Sequence, residues 1–116
     1  MAKKILIADD EIYFIESLRK ALESSGNAVD FAFNGKEALD LIKKNDYDIL
    51  FLDHNMPELT GLEIIKYVKA NNIRAKTVMF TGYPQMSEFF AKSVGADEYI
   101  TKPCRLEDIE EIIDKD

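Results

Sequence analysis

Four groups of residues in this chain could do chemistry together: the acidic trio Asp9-Asp10-Glu11, the lone acid Asp53, the hydroxyl of Thr81 before Gly82, and Lys102 before Pro103. Each follows a short apolar run. Carboxylates from Asp9, Asp10 and Asp53, once gathered, repel one another unless a divalent ion neutralises them, and all-oxygen donors select a hard metal. Mg²⁺ suits such a site, with Mn²⁺ as a substitute, because it takes one or two protein carboxylates and leaves positions for phosphoryl oxygens. The Lys102 ammonium offsets charge on a phosphoryl oxygen, Thr81 offers a donor, Pro103 fixes the chain direction and Gly82 leaves room for a ligand. A nucleophilic carboxylate, a metal site, a cationic clamp and a hydroxyl donor are the parts needed to form an acyl phosphate. Taken singly the same residues have plainer meanings: an Asp pair caps a helix, a lysine is solvated, a strand threonine is a β-former. Only a fold that brings them together separates the two readings.

The elements that must do so follow from periodicity. Ile5-Leu6-Ile7-Ala8 reads as a strand, and Ile12, Ile15, Leu18 and Leu22 recur at helical spacing until Gly26. Val29, Phe31 and Phe33 alternate with Asp30 and Ala32, after which Asn34-Gly35 opens a helix carrying Ala38, Leu41 and Ile42. Ile49-Leu50-Phe51-Leu52 ends at Asp53, and Thr60 with Glu63 has capping-box spacing ahead of Leu62, Ile65 and Val68. Thr77 to Thr81 forms a fourth run, and Pro84 leads Met86, Phe89, Phe90 and Val94 to Gly95. Tyr99-Ile100-Thr101 is the fifth, before a last helix bearing Leu106, Ile109, Ile112 and Ile113. Five strand-helix units with continuously apolar strands predict a doubly wound α/β sandwich around a parallel sheet of order 2-1-3-4-5. In that order the ends of strands one, three, four and five are contiguous, so the reactive groups share one crevice.

Composition narrows what the site serves. With 116 residues the chain is expected to be one domain spanning 1–116, with no room for a separate effector module. The net charge of −7 and pI near 4.7 argue against a phosphate-tracking nucleic-acid surface. Five of those charges come from the last helix, where Glu107, Asp108, Glu110, Glu111, Asp114 and Asp116 face only Lys115. A single cysteine, Cys104, excludes an intrachain disulfide and suits a reducing compartment. No apolar run approaches a membrane span, and the expected location is the cytoplasm, without membrane insertion.

Asp9-Asp10-Glu11, Asp53-His54-Asn55-Met56-Pro57 with Gly61, Thr81-Gly82, Gly95-Ala96-Asp97 and Tyr99-Ile100-Thr101-Lys102-Pro103, in that order, resemble the receiver domain of bacterial two-component response regulators. The resemblance covers essentially the whole chain and implies a flavodoxin-like (βα)5 fold. It implies that Asp53 accepts a phosphoryl group from a phosphohistidine of a sensor kinase or phosphotransfer protein. Asp9, Asp10, Asp53 and the backbone carbonyl of Asn55 would bind Mg²⁺, while Lys102 would pair with Asp53 and then with the phosphoryl group. Thr81 and Tyr99 would form the switch, altering how the face built from helix four, strand five and helix five binds a downstream protein. Asn55 and Tyr83, two residues after the acceptor and after the threonine, would set the phosphoryl lifetime. Such a protein is a signalling phosphoacceptor that promotes its own phosphorylation and dephosphorylation, not a conventional enzyme.

Other residues invite plainer readings. His54, the only histidine, reads as a surface or packing residue. Met79, Met86, Phe89 and Phe90 read mainly as core, with at most one or two at the surface, and Cys104 as a small buried filler standing where the family carries a bulky apolar residue. A phosphoester hydrolase is disfavoured because Asn55 stands where a leaving-group acid would be needed. A flavin carrier is disfavoured because the first strand ends in acids instead of a phosphate cradle. The alternative on the same fold is an interaction module that works without phosphorylation. A stand-alone receiver and one cut from a longer protein both fit the sequence.

Overall fold

The computed structural model describes residues 3–82 and 88–115. Its ten elements alternate strand and helix: β1 (Lys4–Ala8), α1 (Ile12–Ser24), β2 (Ala28–Ala32), α2 (Gly35–Lys44), β3 (Ile49–Asp53), α3 (Gly61–Ala70), β4 (Lys76–Thr81), α4 (Glu88–Ser93), β5 (Glu98–Thr101) and α5 (Leu106–Lys115). All strand pairings are parallel, in the expected order β2-β1-β3-β4-β5.

Period-two alternation along each buried strand sends successive side chains to opposite faces. Ile5, Ile7, Ile49, Phe51, Val78, Phe80 and Ile100 pack with Leu18 and Leu22 of α1 and Ile109, Ile112 and Ile113 of α5. Leu6, Ala8, Leu50, Leu52 and Met79 pack with Ala38 and Ile42 of α2, Ile64, Ile65 and Val68 of α3, and Ala91 of α4. Two cores therefore sandwich the sheet. The first parity continues to Asp9 just past β1, Asp53 at the end of β3 and Lys102 just past β5. All three leave the sheet on the face shared with α1 and α5.

Local chemistry sets the boundaries. Thr60 and Glu63 form the expected capping box: the Thr60 hydroxyl accepts from the Glu63 amide at 3.2 Å and Glu63 accepts from the Thr60 amide at 3.0 Å. Asn34 caps α2 by accepting from the Glu37 amide at 2.8 Å. Gly26 and Gly95 end α1 and α4 at φ of 89° and 117°, which a side chain would strain.

Several expectations need correction. Ile12 leaves the α1 stripe and is 58% exposed, because the buried face begins only at Ile15. On α3 Ile64 takes the core position, with Leu62 only partly buried at its margin. The second strand starts one residue earlier than its alternation suggested, leaving Phe33 beyond its end. Phe89 and Phe90 are the two of the Met and Phe group that reach the surface, the first 84% exposed, since α4 turns Ala91 to the sheet, within the one or two allowed for. Met79 is buried as expected, while Tyr83, Pro84 and Met86 lie outside the described residues.

Candidate functional site

The strand ends meet in a cleft of about 610 Å³ lined by Asp10, Glu11, Phe14, Asp53, Asn55 and Lys102, with Gly82, Pro103 and Cys104 completing its wall. Carboxylate oxygens of Asp9, Asp10 and Asp53 lie within 4.8 Å of one another, the only such group of potential metal ligands among the described residues. Asp9 and Asp53 are buried and Asp10 is exposed, so two acids form the floor and one the rim.

Each buried acid is held by both oxygens. Asp9 Oδ1 accepts from the Glu11 amide at 2.9 Å, and its Oδ2 accepts from Lys102 Nζ at 2.6 Å. Asp53 Oδ1 accepts from the Asn55 amide at 3.2 Å, and its Oδ2 lies 3.4 Å from Lys102 Nζ. Lys102 reaches a third acid, Glu11, at 3.0 Å. Its tightest contacts are therefore with Asp9 and Glu11, and Asp53 is the looser partner. Glu11 was legible as a member of the trio but not as a ligand of the lysine.

The charges do not balance within the cluster. Burial pushes the Asp9 carboxyl up to about 6, a rise reinforced by the Asp53 charge and only partly opposed by Lys102 and the Glu11 amide. Burial alone would lower Lys102, but its hydrogen bonds to Asp9 and Glu11 and the nearby Asp53 charge carry it well above the ordinary lysine range. One ammonium among several carboxylates leaves surplus negative charge, and the donors are all oxygens. That set fits a hard divalent cation.

The backbone around Asp53 is tightly fixed. His54 donates its amide to the Phe80 carbonyl at 2.9 Å, and burial lowers its imidazole below the usual histidine range. A Cβ on Gly61 would sit 2.7 Å from the Asp53 carbonyl oxygen, so glycine here lets α3 close directly against the acid's backbone. At Gly82 an added Cβ would meet only the Lys102 Cβ at 3.7 Å, an ordinary contact.

Thr81 ends β4, buried, on the strand between those carrying Asp53 and Lys102. Tyr99 is half-buried against the core shared with α2, α3 and α4. Asn55 is exposed at the cleft, and Tyr83 lies outside the described residues. Cys104 lies at the cleft wall, only partly buried, with its thiol pushed up by burial and by Asp108. Phe14 is the residue that sequence reasoning missed. It sits at the cleft-side edge of the α1 stripe, four positions before Leu18 and packed on the same core, and that spacing was the available signal.

A five-stranded doubly wound sheet with acids and a lysine at adjacent strand ends defines a receiver-type signalling fold. The model of the response regulator receiver domain family matches residues 5–114, and this chain belongs to that family. It is 37% identical over 110 residues to the response regulator MprA of Mycobacterium bovis, an alignment covering 94% of this chain and 48% of that protein. The chain thus spans about half the length of the curated relatives it matches. Among solved structures, the Francisella response regulator 1452 receiver domain superposes with a TM-score of 0.91 at 29% identity, covering 97% of this chain and 94% of the other. Response regulator protein TrrA of Thermotoga maritima, solved in complex with Mg(2+)-BeF, superposes with a TM-score of 0.85 at 33% identity over 97% of each chain. No helix among the described residues is long and apolar enough to cross a membrane.

Proposed function

We propose that Asp53 is the phosphoryl acceptor of this receiver and that residues 1–116 act as one signalling domain. The carrying observation is the setting of Asp53: buried, within 4.8 Å of the oxygens of Asp9 and Asp10, and 3.4 Å from the Lys102 ammonium. Asp9, Asp10, Asp53 and the backbone carbonyl of Asn55 would hold Mg²⁺, which when bound supplies positive charge against the phosphoryl oxygens. An Asp53 oxygen forms the new P–O bond as the P–N bond to the donor imidazole breaks. The imidazole keeps that electron pair and takes up a proton.

Lys102 is placed to shift its weight from Asp9 and Glu11 toward the added phosphoryl oxygens, for which its ammonium needs no new charge. Thr81 offers its hydroxyl from the intervening strand and stands opposite Thr101, two residues beyond Tyr99 on β5, and partner binding on the α4, β5 and α5 face follows the charge at Asp53 through Thr81 and Tyr99. Asn55 and Tyr83 set how long the acyl phosphate survives water. A sensor histidine kinase or phosphotransfer protein is the donor, a cytoplasmic protein the target, and the domain processes only its own phosphoryl group.

Incubation with Mg²⁺ and phosphoramidate, followed by intact mass, tests this reading. One added phosphoryl group is expected in wild type, none without the metal and none in Asp53→Ala. Uptake by Asp53→Ala equal to wild type would overturn the assignment. A Tyr83→Ala variant that loses its phosphoryl group no faster than wild type would remove Tyr83 from the lifetime role.

A further inference from the structure

We propose that Phe14, backed by Phe80, is an aromatic seat for the Lys102 ammonium and thereby a positioning residue for the phosphoryl-accepting centre. The proposal rests on the reading of Asp53 and Lys102 above. Lys102 Nζ lies 5.3 Å from the Phe14 ring centroid and 6.0 Å from that of Phe80. Both fall within the range where the ring quadrupole attracts a cation, with Phe14 the stronger partner.

The seat is anchored in the fold. Phe14 meets Phe80 edge-to-face, with centroids 5.7 Å apart and planes at 79°, and Phe80 packs in turn on Phe51 at 5.6 Å. Phe80 is fully buried and stands opposite Asp53 in the β3–β4 register, so the acid and the seat share one foundation. Phe14 projects from α1 into the cleft that also holds Asp53 and Lys102.

The acids alone do not fix the ammonium. Asp9 and Asp53 are buried, whereas Glu11 has 63% of its side chain exposed and would draw a flexible, strongly hydrated ammonium outward. The Phe14 ring lies over the same ammonium, and the Lys102 side chain remains only 15% exposed. Leucine at position 14 would keep most of the apolar bulk while removing the quadrupole, which isolates the electrostatic part of the seat. Tyrosine would restore a ring face, with its hydroxyl directed into an open cleft.

The test uses the whole chain and two readouts on Phe14→Leu and Phe14→Tyr, with folding verified by circular dichroism. In the unphosphorylated protein, NMR should place the Lys102 Hε protons upfield of those of exposed lysines, since the ammonium they adjoin lies over the Phe14 ring. Phe14→Leu should move them downfield and Phe14→Tyr should return them. The rate of phosphorylation by phosphoramidate should fall between about twofold and thirtyfold in Phe14→Leu and recover in Phe14→Tyr. Hε shifts unmoved by Phe14→Leu, an unchanged rate, or a loss that Phe14→Tyr fails to restore would overturn the seat. The NMR arm needs no phosphoryl transfer, so it separates failure of the seat from failure of Asp53 as acceptor.

Discussion

Gly61→Ala should damage the site through the backbone alone. The added Cβ would lie 2.7 Å from the Asp53 carbonyl oxygen and 3.0 Å from its carbonyl carbon. Ordinary contact begins near 3.4 Å, so the α3 start and Asp53 must part by several tenths of an ångström, and both neighbouring atoms are main chain. Overpacking of this kind costs about 1–3 kcal/mol. For 116 residues an unfolding entropy of about 0.24 kcal/mol/K converts each kcal/mol into roughly 4 °C, so Tm should fall by about 4–12 °C. The displacement moves Asp53 while Asp9 and Lys102, which follow β1 and β5, stay in place. Phosphorylation by phosphoramidate should therefore slow by about 10- to 100-fold, as sub-ångström to 1 Å misplacements do. Calorimetry, Mg²⁺ titration and intact-mass time courses measure the three effects. A variant that melts with wild type, binds Mg²⁺ as tightly and phosphorylates as fast would refute the argument that this glycine sets the position of the acid.

Mg²⁺ at a hundredfold its Kd should stabilise wild type by about 2.7 kcal/mol, or roughly 11 °C, with the gain shrinking in Asp10→Asn; equal shifts in both proteins would exclude Asp10 as a ligand. Tyr47, buried and donating its hydroxyl to Asp30 at 2.6 Å, is pushed above its ordinary 10.0 first by burial and then by that hydrogen bond. Because its folded value exceeds the unfolded one, its contribution is full below pH 10 and is lost as pH climbs above that value. Tyr47→Phe should therefore cost about 1 kcal/mol at pH 7, with the gap to wild type closing above pH 10 in denaturant melts. A gap independent of pH would contradict the proposed linkage. The Cys104 thiol, raised by burial and by Asp108, should alkylate with iodoacetamide at pH 8 several-fold more slowly in the native protein than in urea. Equal rates would show that its partial burial gives no protection.

The order of elements, the parallel sheet and the four strand ends that carry the cleft's polar groups were legible in the sequence, because strand alternation, helix stripes and capping signals act over a few residues. Asn34, Thr60 and Gly95 announce their boundaries locally. Exposure was harder to read for Ile12, Phe89 and Phe90, since periodicity gives a helix an apolar stripe without saying which apolar residues fall beyond the sheet it covers. Partner choice at the site also belonged to the tertiary structure. Lys102 lies 91 to 93 residues from Glu11 and Asp9, yet those acids hold it more closely than Asp53 does, and the Phe14 ring lies under the same ammonium. Such distances arise from how α1 and β5 pack on a common sheet, a sum over many contacts that no local pattern encodes. Residue types fixed which reactions are available; the packing decided which groups stand close enough to take part.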